Sequence, residues 1–489
     1  MIVRSCFSSW LRRVVVIRFL FVGGFGVVTA FADVQVASPF GDHMVLQCEA
    51  KLPVWGTAES EEAITVEFAG QRKFVTAGAD GRWRVDLDRI AASDRPRVFT
   101  VGGSSMAHPI RFEDVLVGEV WICGGQSNME RQLGPREGQK PIHNWEQEVA
   151  AANHPTIRQL YVKQSPATSP QSHVEAGWTV CSPETVSDFT AVGYFFARDL
   201  QAKIRVPIGI IHSSRGGSPA EAWTSAEALG AFPEFAEELS ALNQQAGRTH
   251  SDNPPPDLTQ QPSVPSALFN GMIAPLIPYA IRGVNFYQGE ANHDRAEQYR
   301  KLFPALIADW RKQWGQGDFP FLFVQLAPYR EARPELREAQ LLTWKNTPNT
   351  AMVVTLDCGD IEDIHPAWKQ PVGARLALAA RAIAYKEDVE YSGPVFEKMT
   401  VDGDRAVLHF SHLGGGLAAN NFTLMGFTMA GPNGHFHAAH GEIEENTVVV
   451  TIPDVEKPVA VRYAWERAPD GNLVNDEGLP ASPFRTDVE

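Results

Sequence analysis

Cysteine, positive charge and long apolar runs are all scarce in this sequence. Five cysteines are spread over 489 residues without a C-x-x-C pair, so no zinc-type ligand spacing is present and no metal or organic cofactor is expected. Cys6 falls in a leader-like start; for Cys48, Cys123, Cys181 and Cys358 isolated buried thiols are favoured over disulfides. Lysine and arginine number 43 against 58 acids, for a net charge of −15. Phosphate backbones and anionic membranes demand a basic face, so nucleic acid and anionic lipid are not expected partners. No run reaches the roughly 20 apolar residues that span a bilayer. With 44% hydrophobic and 21% charged residues the composition is globular. The length exceeds what one core organises, which points to two or three domains.

At the start, Arg4, Arg12, Arg13 and Arg18 lead into the apolar run "FLFVGGFGVVTAFA", which closes on the small-x-small pattern of Ala30, Phe31 and Ala32. Residues 1–32 are therefore expected to be a signal peptide cleaved before Asp33, giving an exported protein, periplasmic or extracellular, with no membrane span after cleavage. Short alternating segments between Gly, Pro, Asp and Asn over 33–110, such as "AITVEFAG" and "GRWRVDLD", predict an amino-terminal β-sandwich domain, with "GADGRW" as a hairpin turn. From 111 to 388 buried strands alternate with helical periods, which predicts a parallel, helix-covered sheet with ligands at the carboxyl ends of its strands. The polar, proline-rich stretch 243–265 is expected to be a long loop inside this domain, a linker before a lid. Over 389–489 strand patterns return as a carboxyl-terminal β-rich domain.

Apolar strands in the middle region end in unusual polar loops. "EVWICGGQSNMER" delivers Ser127, "VPIGIIHSSRGG" delivers Gly216 and Gly217, and "IRGVNFYQGEAN" delivers Gln288, Gly289 and Glu290. A fourth segment, "DCGDIEDIHPAWKQ", supplies Asp357, Asp360, Glu362, Asp363 and His365 ahead of a long helix. Acyl transfer needs a nucleophile, a base, a group to orient the base and donors for an oxyanion, and these loops hold a candidate for each. Taken singly each residue has a plainer role: Ser127 is a helix N-cap, Gly216-Gly217 a turn, Glu290 a solvated acid, His365 a surface histidine. Only their joint presence at one sheet edge favours catalysis.

The same segments, with "DIHPAWKQPVGARLALAARAIAY", resemble the successive blocks of sialate O-acetylesterases, a branch of the SGNH (GDSL-like) hydrolase superfamily. The resemblance extends to "FGDHMVLQ" and "LPVWG" near the start and "NLVNDEGLPASPFRTD" near the end. It implies an α/β fold: a three-layer SGNH-hydrolase-like domain with a parallel sheet, flanked by amino-terminal and carboxyl-terminal β-rich domains. It also implies Ser127 as nucleophile, His365 as base, and an oxyanion hole from the Ser127 N–H, Gly217 and Gln288, with Asn292 the weaker choice. For the third triad member the D-I-H-P pattern selects Asp363 and the superfamily's D-x-x-H spacing selects Glu362; Asp357 and Asp360 are expected to be structural. Arg215 stands where the family usually has tryptophan, and with Glu290 is a candidate substrate contact; Cys48 stands where it usually has a basic residue. The implied reaction is removal of O-acetyl groups from an O-acetylated carbohydrate, sialic acid foremost, with acetylxylan or another polysaccharide as the alternative. A non-catalytic glycan-binding protein is the remaining alternative.

Overall fold

The computed structural model describes residues 34–246, 258–421, 423–453 and 455–487; the leader and its expected cleavage before Asp33 lie outside them. The chain is mixed α/β, with a mixed sheet at the centre and further β-rich regions on either side. Its central strand, β1, runs 16 residues, Ile110–Gly125, and is buried without interruption from Val115 onward. Such a strand is covered on both faces, hence its continuous apolar run in place of alternation. In chain order follow β2 (His154–Val162), β3 (Ala176–Cys181), β4 (Ile208–Ser214), β5 (Gly283–Tyr287), β6 (Phe321–Val324) and β7 (Thr350–Val353). Their spatial order is β3-β2-β4-β1-β5-β6-β7. Every neighbouring pair is parallel except β3 on β2, an antiparallel edge.

Helices cover both faces. They are α1 (Ser127–Glu130), α2 (Ala191–Ile204), α3 (Ala296–Trp314), α4 (Pro334–Asn346) and α5 (Gln370–Ile383). Successive strand residues point to opposite faces, and the two cores show it. Trp121 and Cys123 of β1 join Ile208, Ile210, Leu322 and Val324 in a core with α2 and α5. Val120 and Ile122 join Val284, Phe286, Phe321 and Phe323 in a core with α3 and α4. The amphipathic pattern of 296–314 becomes α3, which ends at Gly315 in the left-handed region at φ 65°.

Three expectations change. In "GADGRW" the turn forms, Gly81 N–H donating to Gly78 O at 2.9 Å, but it joins no hairpin. Gln71–Thr76 pairs with Ala63–Phe68 and Arg82–Leu87 pairs with Leu52–Thr57, so the turn carries the chain between two sheets. Stretch 243–265 is not loop throughout, because a helix over Ala236–Ala246 continues into it, anchored by buried Leu239 and Leu242, and a single turn forms at Leu258–Gln260. Near 110 the chain does not break: the first half of β1 pairs with Ser93–Gly103 and the second half with β4 and β5.

The carboxyl-terminal region includes a four-stranded sheet of Val395–Asp402, Arg405–Ser411, Thr447–Thr451 and His440–Glu444. It is tied to α4, where the buried Arg337 guanidinium donates to Glu466 O at 2.7 Å and Arg467 O at 2.8 Å. All four cysteines of the described residues are free and buried. No helix among them is long and apolar enough to cross a membrane.

Where α2 crosses α5, a β-carbon on Gly373 would lie 2.4 Å from Phe195 Cβ and 2.7 Å from Phe196 N. Overpacking a seam of this kind costs about 1–3 kcal/mol or more. Gly373→Val is expected to lower the melting temperature of the purified protein; an unchanged melt would show that the two helices are not in close contact.

Candidate active site

The turn after β1 is forced by a close approach. Gly125 has φ +126°, and a β-carbon there would sit 2.2 Å from Tyr287 O at the end of β5, so only glycine fits. The neighbouring loops are stitched to it: Gln126 N–H donates to Tyr287 O at 2.9 Å, and Arg215 N–H donates to Gly125 O at 3.0 Å. After twelve consecutive buried residues, Val115 to Gln126, Ser127 is the first to reach solvent. It opens α1, and the N-cap position belongs to Gln126, so the plain role of a capping serine does not apply. The Gln126 side chain instead accepts from Gly289 N–H at 3.3 Å and Ala291 N–H at 3.1 Å, which fastens the loop after β5 beneath Ser127.

After β4, Gly216 lies against the Ser127 turn: a β-carbon there would be 3.5 Å from Ser127 Cβ. Its N–H donates to Glu130 Oε2, and Glu130 Oε1 accepts from Arg136 at 2.9 Å. Gly217, at φ +70°, keeps its amide hydrogen clear of any protein acceptor among the described residues. Arg215 is turned away, its guanidinium on Gln164 Oε1 at 3.2 Å and on Thr259 O. It therefore pins the turn at Leu258–Gln260 to the sheet edge.

The loop after β5 is brought to the same edge, but its polar side chains face inward. Gln288 is 1% exposed; its amide donates to Asn292 Oδ1 at 2.7 Å and, at 3.3 Å each, to Gln126 Oε1 and Ser218 O. Asn292 in turn donates to Glu221 Oε2 at 3.0 Å. Both side chains are thus bonded into the wall of the site, the Gln288 amide to three protein acceptors and the Asn292 amide to Glu221. Glu290 is likewise sealed in, and not at a substrate-facing position: one carboxylate oxygen accepts from Asn128 Nδ2 and the other is buried without a partner among the described residues.

His365 is half-buried on the loop ahead of α5. Its Nδ1 lies 3.8 Å from Asp363 Oδ1, which also accepts the His365 backbone N–H at 2.8 Å. Glu362, by contrast, is exposed and paired with Arg330 at 2.5 Å, so of the two candidate acids only Asp363 is at the imidazole. Asp357 pairs with Arg375 at 2.6 Å and Asp360 with Lys140, both structural links. Among the described residues Ser127 Oγ makes no hydrogen bond to the ring. The two loops are joined one residue over, where Asn128 Nδ2 donates to Ile364 O at 3.0 Å. Burial, then the nearby Lys369 charge, holds the His365 pKa below its ordinary 6.5, with Asp363 opposing them.

Sequence reasoning missed Asn128, Glu130 and Lys369. Lys369 is fully buried, donates to Asn128 Oδ1, and lies 5.3 Å from the Tyr287 ring centroid. Burial lowers its pKa to about 7, the Glu290 carboxylate opposing. A lysine between Trp368 and a helix start gives no sequence signal of burial.

Because Asp363 is the group that raises the His365 pKa, Asp363→Asn is expected to move that titration to lower pH in an NMR experiment. An unmoved midpoint would separate the two side chains in solution.

A sequence model of the family described as carbohydrate esterase, sialic acid-specific acetylesterase, matches residues 117–249 and 263–381. The chain is 31% identical over 422 residues to the sialate O-acetylesterase of Homo sapiens, covering 77% of this chain and 76% of that one. With the Rattus norvegicus sialate O-acetylesterase it shares 32% over 435 residues, 77% and 79% of the two chains. A crystal structure of a carbohydrate acetylesterase from Xanthomonas citri superposes with a TM-score of 0.83 at 39% identity, covering 93% of this chain and all of that one.

Proposed function

The chain belongs to the sialic acid-specific acetylesterase family of carbohydrate esterases and is a carboxylic ester hydrolase, and from this we propose that it removes O-acetyl groups from a carbohydrate through an acetyl-serine on Ser127. The observation that carries the mechanism is the solvent-reaching Ser127 on a turn that closes an otherwise buried strand, joined through Asn128 to the loop of His365. In this reading His365 takes the Ser127 hydroxyl proton as Oγ attacks the acetyl carbonyl. The tetrahedral oxyanion is held by the backbone N–H groups of Ser127 and Gly217. Gly216 does not contribute, since its N–H is already given to Glu130. The C–O bond to the sugar breaks, the sugar oxygen takes the proton from His365, and water hydrolyses the acetyl-serine by the same steps, releasing acetate and restoring Ser127. Asp363 keeps the imidazole oriented through Nδ1. We further infer that the helix-covered sheet is the three-layer arrangement of SGNH hydrolases, and that the basic, apolar leader exports the protein to the periplasm or medium.

Sialic acid is the substrate suggested by the curated relatives. A neutral acetylated polysaccharide such as acetylxylan has one observation in its favour. A sialate carboxylate calls for a free cation, yet Arg215 is bonded to Gln164 and Thr259, Arg136 to Glu130 and Lys140 to Asp360. Acetate release across acetylated sialic acid, xylan and simple sugars separates the two readings. Activity on xylan without activity on sialate would exclude the sialate assignment.

With 4-nitrophenyl acetate, Ser127→Ala is expected to lose roughly 10⁴-fold or more in kcat while still folding. Equal turnover by both proteins would end the serine mechanism. The base must be neutral to act, and the His365 pKa lies below 6.5, so kcat/KM should fall on the acid side with a midpoint under that value.

A further inference from the structure

Beneath the proposed catalytic pair lies a group of three polar side chains that the chemistry above does not use. Asn128, Glu290 and Lys369 come from α1, from the loop after β5 and from the residue just before α5, and each is at most 4% exposed. The Asn128 carboxamide is the junction: Nδ2 donates to Glu290 Oε1 and to Ile364 O, and Oδ1 accepts from Lys369 Nζ. Asn128 follows Ser127 directly, and Ile364 precedes His365 directly. The site-bearing turns are thus held together one residue away from each reacting side chain.

We propose that Asn128, Glu290 and Lys369 form a buried positioning unit that sets Ser127 and His365 within reach of each other, an inference that rests on the serine mechanism given above. None of the three is open to substrate, so none is a catalytic residue. An ionised side chain in such a place is costly unless partnered. Burial raises the Glu290 pKa and lowers that of Lys369, and the charge of each opposes the shift of the other. The work of the unit is in its connectivity. Lysine supplies the donor for Asn128 Oδ1, glutamate the acceptor for Asn128 Nδ2, and the carboxamide thereby keeps a fixed orientation toward Ile364 O. Serine and histidine carried on separate loops must meet to within a fraction of an ångström, and a misplacement of about 1 Å can cost about 100-fold in rate.

The test measures three quantities on full-length protein: the melting curve, kcat and KM for 4-nitrophenyl acetate at pH 8, and the rate at which a fluorophosphonate labels Ser127. Lys369→Met should remain folded yet lose about 10- to 100-fold in kcat, with a parallel loss in labelling rate and little change in KM. Glu290→Ala should behave alike. Glu290→Gln, which keeps the acceptor for Asn128, should stay within a few-fold of the parent. Folded Lys369→Met or Glu290→Ala with unaltered kcat and labelling would overturn the inference, as would equal losses in Glu290→Gln and Glu290→Ala. Should Lys369→Met fail to fold, the Glu290 pair decides. Parental turnover that survives Ser127→Ala is a separate outcome, which removes the serine mechanism itself and this inference with it.

Discussion

The contact between Gly125 and Tyr287 O governs how the rest of the molecule is arranged. No side chain fits at that point, so β1 must end in a bare, left-turning residue and release Ser127 at the sheet edge. The same contact sets β1 beside β5, while the Arg215 N–H bond to Gly125 O sets it beside β4. Everything that follows inherits this arrangement: the glycine loop after β4, the Gln-Gly-Glu loop after β5, and the His365 loop bonded to Asn128. Parallel strands deliver their loops to one edge, but this junction decides which loops are close enough to cooperate.

The site shows a division between atoms that face solvent and atoms that hold the loops. Gln288 and Asn292, which chemistry alone would assign to the oxyanion, are bonded to protein partners, and Glu290 is buried against Asn128. Arg215, Arg136 and Lys140 are likewise bonded to protein partners. Trp368, three residues beyond His365, is 47% exposed and its ring stacks on His143 at 5.7 Å.

Much of this was legible in the sequence, and the exceptions have physical causes. Unbroken apolar runs marked β1, β4, β5, β6 and β7, and the amphipathic period marked α3. Helix α4 gave no such signal because its buried positions include Arg337, Glu338 and Gln340, which break the apolar stripe yet are satisfied by the carboxyl-terminal region and the strand ends. Strand β2 was hidden for the same reason: buried Arg158 donates to His43 O and Asp114. In the site, the family resemblance offered Ser127, His365 and both candidate acids, but only geometry could turn Glu362 toward Arg330 and leave Asp363 at the ring. Side-chain direction likewise lies beyond spacing, which is why Glu290 and Gln288 were assigned to the pocket and belong to its wall.

The long β1 strand has a consequence for how the protein comes apart. Its first half is an interior strand of the amino-terminal sheet and its second half runs to the Ser127 turn, with no linker between. Backbone hydrogen bonds of both regions therefore share one uninterrupted segment, and fraying at one end removes support from the other. Such regions open as one cooperative unit and not as separable modules. The amino-terminal β region is in this sense a stabilising extension of the central sheet, and its integrity and that of the Ser127 turn are thermodynamically linked.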